Sequence, residues 1–203
     1  MKLNVIRAEE AVTCAAIGIA GALIFLFAFP KGSISTLMHE VLDLPGPGAG
    51  IALILGPFLV LVALISSLLS RGGGGAVIAS LTFAVAYALV VWLLGIPTNP
   101  KGAFGSSVFI AAVVPFGIAA EAVMVLSKAL KNVWRCMLSG ALANAVLLVF
   151  YWIAIFPRTA GWIDWKDIPL LMGLCLVCGC ISGGIACVVS KPLSRAFALK
   201  EKE

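Results

Sequence analysis

Six stretches of about 20 mostly apolar residues, each long enough to cross the hydrocarbon core of a bilayer, run through this chain: Ala11–Phe29, Ala49–Leu69, Ala76–Gly95, Val108–Ser127, Cys136–Phe156 and Leu170–Ser190. In lipid a backbone must satisfy its own hydrogen bonds, which only helices and closed barrels do. None of the six alternates apolar and polar residues as a barrel strand would. The chain is therefore predicted to be an all-α integral membrane protein, a bundle of six transmembrane helices forming one domain over residues 1–203. Composition supports this. Only 11% of the residues are charged and the mean hydropathy is +1.15, whereas a soluble domain keeps roughly a quarter of its residues charged. The first stretch exceeds the roughly 7–15 apolar residues of a signal peptide, and Phe29-Pro30-Lys31 offers no small-x-small cleavage site. It is expected to stay as a helix.

The connections set the orientation. On the side of the N-terminus lie Lys2, Arg7, Arg71, Lys128, Lys131, Arg135, Lys191, Arg195, Lys200 and Lys202; on the other side lie only Lys31, Lys101, Arg158 and Lys166. Basic residues accumulate on the cytoplasmic side of membrane proteins. Both termini are therefore expected in the cytoplasm, with the protein in the cell (plasma) membrane. The inner connections are short: a Gly72–Gly75 break and a Lys128–Arg135 link. The outer ones, Pro30–Gly48, Ile96–Ser107 and Pro157–Pro169, are longer and rich in turn residues. In the first, Ser35 to Leu44 reads as a short amphipathic helical turn that stops at Pro45-Gly46-Pro47-Gly48, where two prolines forbid continuation. Such a partly apolar loop is expected to fold back onto the mouth of the bundle. Gly18-Ile19-Ala20-Gly21-Ala22 faintly echoes Gly117-Ile118-Ala119-Ala120-Glu121-Ala122, but too briefly to count as a repeat.

Enzyme motifs are absent. His39-Glu40 begins a zinc-protease signature, yet the required second histidine at i+4 is Asp43, and His39 is the only histidine. There is no G-x-S-x-G elbow, and Gly72–Gly75 lacks the Lys-Ser/Thr ending of a phosphate loop. The six cysteines fall in or beside apolar runs, unlike a secreted disulfide framework. Cys175-Leu176-Val177-Cys178-Gly179-Cys180 contains a C-x-x-C. Packing explains it, because a reactive thiol needs an electropositive, accessible setting; a membrane redox or metal-handling role for this helix is the alternative. No catalysis and no cofactor are expected.

Small residues recur at helical spacing: Ala16-x-x-x-Ala20 and Gly18-x-x-x-Ala22 in the first span, Gly179-x-x-x-Gly183 in the last. This spacing lets helix backbones approach closely in lipid. In the last span it is read as internal packing; in the first, internal packing and a face for another protein both remain open. Intramembrane polar groups are rare and informative. Glu121 and Asn144 are expected either to bond to each other, with snorkelling of Glu121 towards Lys128 as a variant, or to serve binding. Polar residues gather on the outer side: His39 and Asp43, one helical turn apart, with Glu40; Asn99 and Lys101 before the fourth helix; and Trp162 and Trp165 before the sixth. Flat aromatic faces with a few polar groups suit a small-molecule pocket. Interfacial anchoring is a second reading for the tryptophans, which also include Trp92 and Trp152 near the outer side and Trp134 near the inner.

Six helices, about 200 residues, a small-x-x-x-small first helix and elaborated outer loops together resemble the substrate-binding S component of an energy-coupling-factor (ECF) vitamin transporter. The resemblance covers the whole chain and rests on architecture. It implies a non-enzymatic subunit that binds a small organic micronutrient at its outer face, with His39, Glu40, Asp43, Asn99, Lys101, Trp162 and Trp165 on the substrate side. It also implies docking through Ala16, Gly18, Ala20 and Ala22 onto a transmembrane coupling protein driven by cytoplasmic ATPases. Metal-carrying members place a histidine at the extreme N-terminus; Met1-Lys2-Leu3 departs from that and argues against nickel or cobalt. An assembly subunit of a larger membrane complex is the remaining alternative.

Overall fold

The computed structural model describes residues 6–29, 44, 48–70, 73–95, 107–155 and 166–200, and among these every regular element is helical. We label the α-helices α1 (Ala8–Ala28), α2 (Gly56–Leu69), α3 (Gly75–Leu93), α4 (Ser107–Leu126), α5 (Asn132–Ile155) and α6 (Ile168–Lys200). A single π-helical turn, Ile51–Leu55, leads into α2. Five spans are long and apolar enough to cross a membrane: α1, the π turn with α2, α3, α5 and α6; α4 contributes a shorter apolar helix over Ala111–Leu126.

The helices overrun the apolar stretches at their polar ends. α1 begins three residues early and takes Glu9 and Glu10 into its first turn, where carboxylates complement the helix dipole. α5 begins at Asn132 rather than Cys136, and α6 continues to Lys200 rather than Ser190, with Pro192 inside it. At 1.5 Å per residue the 33 residues of α6 measure about 50 Å, well beyond the roughly 30 Å of a hydrocarbon core. Hydropathy marks where lipid is, not where hydrogen bonding stops.

The second span is the centre. It packs against all five other helices, while α1, α3, α4, α5 and α6 pack one against the next around it. Of its residues 61% are buried, against 28–39% in the other four full spans. Its sequence suits the position: α2 carries no charge, and the hydroxyl of its buried Ser66 is satisfied within the helix by the Val62 carbonyl, at 2.9 Å. Leu55, Leu59, Val60 and Leu64 fill the core with Phe25, Phe83, Phe116, Leu147 and Leu148. Outward-facing positions carry large apolar side chains, among them Phe27, Trp92, Leu126, Ile153 and Val188, as a surface solvated by lipid requires.

Without a hydrophobic force between helices in lipid, close packing holds them, and glycine sets the closest approaches. On α5 and α6, Gly140 and Gly179 face each other backbone to backbone, and Gly183 lies against the Cys136 carbonyl. On α1 and α3, Gly18 rests on the Ala79 carbonyl and the Thr82 side chain.

Candidate functional site

The end of the bundle expected to face outward is built from the start of the second span, the end of α5 and the start of α6. Gly48 opens the second span at φ +116°, a conformation that favours glycine. A Cβ there would also lie 3.0 Å from both Leu148 Cδ1 and Trp152 Nε1. Its carbonyl accepts from the Ala52 amide at 2.8 Å, which starts the helix. Beside it, Ala49 and Leu171 are fully buried, with Leu44, Leu53, Ile54 and Trp152 packed around them. Leu44, near the end of the first long loop, packs onto this end of the bundle; Ser35 to Asp43, the rest of the segment expected to fold back, lies outside the described residues. Trp152 is half-buried in this cluster, whereas Trp92 and Trp134 are 78% and 60% exposed.

One and two helical turns below Trp152 on the same face of α5 lie Leu148 and Asn144. Asn144 is fully buried, and its Nδ2 donates to the Ala52 carbonyl at 3.0 Å and to the Cys175 carbonyl at 2.8 Å. The local sequence explains why Ala52 needs an outside donor. In the π turn the Gly56 amide donates to Ile51. The next nitrogen in that register, Pro57, carries no hydrogen, so the Ala52 carbonyl has no donor from its own helix. Asn144 supplies one. It can approach because Gly56 has no side chain: its Oδ1 lies against that position and has no hydrogen-bond donor among the described residues. One amide therefore ties three helices together two turns below Trp152. Sequence reading singled out Asn144 but missed Ala52, Gly56 and Pro57. The available signal was a proline inside an apolar run, which leaves carbonyls without donors.

Glu121 and Asn144 do not pair. Ser139 Oγ donates to the Ala120 carbonyl at 2.7 Å, which sets the level of Glu121 against α5. Asn144 lies five residues further outward, about 7 Å along the axis. Glu121 instead accepts from the Ala76 amide at 3.0 Å through Oε2, placing a carboxylate on the exposed amides of the α3 N-terminus. Nearby, Arg135 donates to the Met124 carbonyl at 2.7 Å, serving the C-terminal end of α4, and to Asn132 Oδ1 at 3.0 Å.

The small residues of α1 divide. Gly18 and Ala22 are buried against the bundle, so internal packing takes both of them up. Ala16 and Ala20 are exposed and leave a shallow strip between Val12 and Ile24. Cys175 is buried and Cys178 half-buried within α6; all six cysteines are free thiols, and no group of three metal-ligating side chains occurs among the described residues. His39, Glu40, Asp43, Asn99, Lys101, Trp162 and Trp165 lie outside the described residues.

A solved structure, "Crystal structure of an S-component of ECF transporter", matches 96% of this chain and 87% of its own length, with a TM-score of 0.65 at 19% sequence identity. The fold is that of an ECF S component. No family model and no curated protein matches the sequence. In this fold the second span is the axis, the amide of Asn144 locks the start of that span, and α1 stands at the rim with one face exposed.

Proposed function

We propose that this protein is the membrane-embedded substrate-binding subunit of an ECF-type uptake transporter for a small organic micronutrient, such as a vitamin or a precursor. The observation that carries this is the S-component fold over 96% of the chain. The chain would cross the plasma membrane six times with both termini in the cytoplasm, as the excess of basic residues on that side favours. Ligand would bind at the outer mouth, where His39, Glu40 and Asp43 of the first loop meet Asn99, Lys101, Trp162 and Trp165. The Asn144 junction gives that mouth a rigid floor, and rigid support is what a binding site needs to hold its geometry. The subunit binds and translocates and does not catalyse; energy comes from a transmembrane coupling protein and two cytoplasmic ATPases. Docking falls on the exposed Ala16 and Ala20, where small side chains allow a partner helix to come close.

Two experiments test this. Co-expression with a coupling protein and ATPases should give a complex that co-purifies; a chain that stays alone under these conditions removes the transporter role. Native mass spectrometry of freshly purified protein should show a bound heterocycle, and His39→Ala or Trp165→Ala should weaken its binding. Unchanged affinity in both variants would remove the proposed pocket while leaving the fold as it is.

A further inference from the structure

We propose that the start of the second span is a register switch: it can wind as a π turn or as an ordinary α-helical turn, and the amide of Asn144 is the latch that holds the π register. A π turn closes its hydrogen bonds over one residue more than an α-helix does, so it stores one extra residue in the span. Here that residue lies within Ile51–Leu55, and the Gly56 amide reaches back five positions to the Ile51 carbonyl. The two registers exchange one hydrogen bond for another. In the π register the Ala52 carbonyl takes Asn144 Nδ2 at 3.0 Å. In the α register the Gly56 amide would serve Ala52, four positions back, and Asn144 would let go of the second span while keeping the Cys175 carbonyl. Pro57 has no amide hydrogen, so the ladder itself offers Ala52 no donor in the π register. The latch also carries a penalty: Asn144 Oδ1 is buried against Gly56 with no donor among the described residues, and an orphaned buried acceptor is costly. One bond against one bond, with an orphan on the π side, keeps the two registers close in free energy.

Helix geometry sets what the switch moves. α2 is pinned by all five other helices, whereas the π turn packs mainly against α5 and α6. The stored residue is therefore expelled towards the start of the span. That turns residues 48–51 by about 100° and displaces them by about 1.5 Å along the axis. In the π register Ala49 is fully buried with Leu171, and Leu44 and Trp152 pack on the same cluster. Gly48 fits where a Cβ would come within 3.0 Å of Leu148 and Trp152. A turn of that size takes Ala49 off Leu171 and Gly48 out of its niche. α5 and α6 stay in place, because Gly140 and Gly179 hold them backbone to backbone. Under the proposed function this is the end that binds ligand, and only that consequence rests on the transport reading; the switch itself rests on the hydrogen bonds.

A structure of the full-length Asn144→Ala chain in lipid nanodiscs reads the register directly. Losing the amide leaves the Ala52 carbonyl without a donor in the π register, which drives the slip. The Gly56 amide should then be found on Ala52, with Ala49 turned away from Leu171. A π turn that persists in this variant overturns the proposal. A pair of deletions tests the stored residue without touching Asn144. Removing Leu53 leaves Ile51 four positions before Gly56, so the same Gly56–Ile51 bond closes an α turn and Ala49 keeps its place. Removing Leu61, which is half-buried like Leu53 but lies in regular α2, rotates the whole start of the span out of register. The Leu53 deletion should keep a thermal midpoint within a few degrees of wild type, and the Leu61 deletion should lower it far more. Equal losses in the two deletions would show that no residue is stored, and they decide the matter if Asn144→Ala does not fold. A chain that changes register but never associates with a coupling protein keeps this proposal and loses the transport role; a persistent π turn in a chain that does associate has the reverse effect.

Discussion

The α5–α6 seam and the α1–α3 seam are both glycine contacts, yet they are built differently. Between α5 and α6 glycine stands on both sides, Gly140 against Gly179, and Gly183 extends the contact to the Cys136 backbone. Between α1 and α3 glycine stands on one side only, and Gly18 meets the Ala79 carbonyl together with a side chain, Thr82. Both seams set backbone against backbone, Gly179 on Gly140 and Gly18 on the Ala79 carbonyl; only the Thr82 part of the second can rotate away. The first seam also carries the Asn144 junction, which ties α5 and α6 to the start of the second span. The second leaves the opposite face of α1, with Ala16 and Ala20, open. One seam is a fixed frame, and the other holds a helix at the rim.

The substitution that should separate the two seams most is Gly179→Val. Its Cβ would strike the Gly140 carbonyl and lie 2.9 Å from Asn144 Cβ. We expect a loss of about 3 kcal/mol, the upper range for overpacking, read as a fall in thermal midpoint in detergent. A Gly179→Val protein as stable as wild type would refute the backbone contact. Next comes Asn144→Leu. It removes both amide hydrogen bonds and leaves the Ala52 carbonyl buried without a donor, a loss of about 2 kcal/mol. Pro57→Ala sharpens this. An amide hydrogen at position 57 restores a donor to the π turn, so the loss on Asn144→Leu should shrink in that background, and a double-mutant cycle reads the coupling. Strictly additive effects would mean that proline is not the reason for the asparagine.

Gly18→Val should cost less, about 1–2 kcal/mol, because the Thr82 side chain can move although the Ala79 carbonyl cannot. An effect equal to that of Gly179→Val would erase the distinction between the seams. Smallest of all should be Ala16→Leu with Ala20→Leu, which place larger side chains on an exposed strip and leave thermal stability within about 0.5 kcal/mol of wild type. Under the proposed function the same double variant stops co-purifying with the coupling protein. Stability and association both intact would move the docking face elsewhere.

The residues of α1 show how far sequence reading reached. Ala16, Gly18, Ala20 and Ala22 form two equivalent small-residue pairs in the sequence, and only the structure turns Gly18 and Ala22 inward and Ala16 and Ala20 outward. Likewise, Glu121 and Asn144 look like natural partners on consecutive helices, but the Ser139–Ala120 bond fixes a stagger that separates them. Each then finds a backbone partner: Ala76 for the carboxylate, Ala52 and Cys175 for the amide. The apolar stretches, by contrast, located every helix to within a few residues except where α6 continues past Ser190.

By itself the sequence determined that the chain is helical, where its helices lie and which stretches meet lipid, because a backbone in hydrocarbon has few ways to satisfy its hydrogen bonds and transfer into lipid depends on composition alone. Tertiary structure decided which span is central, which glycines touch and what the intramembrane polar groups hold. In lipid no hydrophobic force turns one apolar face inward over another. Shape and a few hydrogen bonds settle that, and both come into being only when the helices meet.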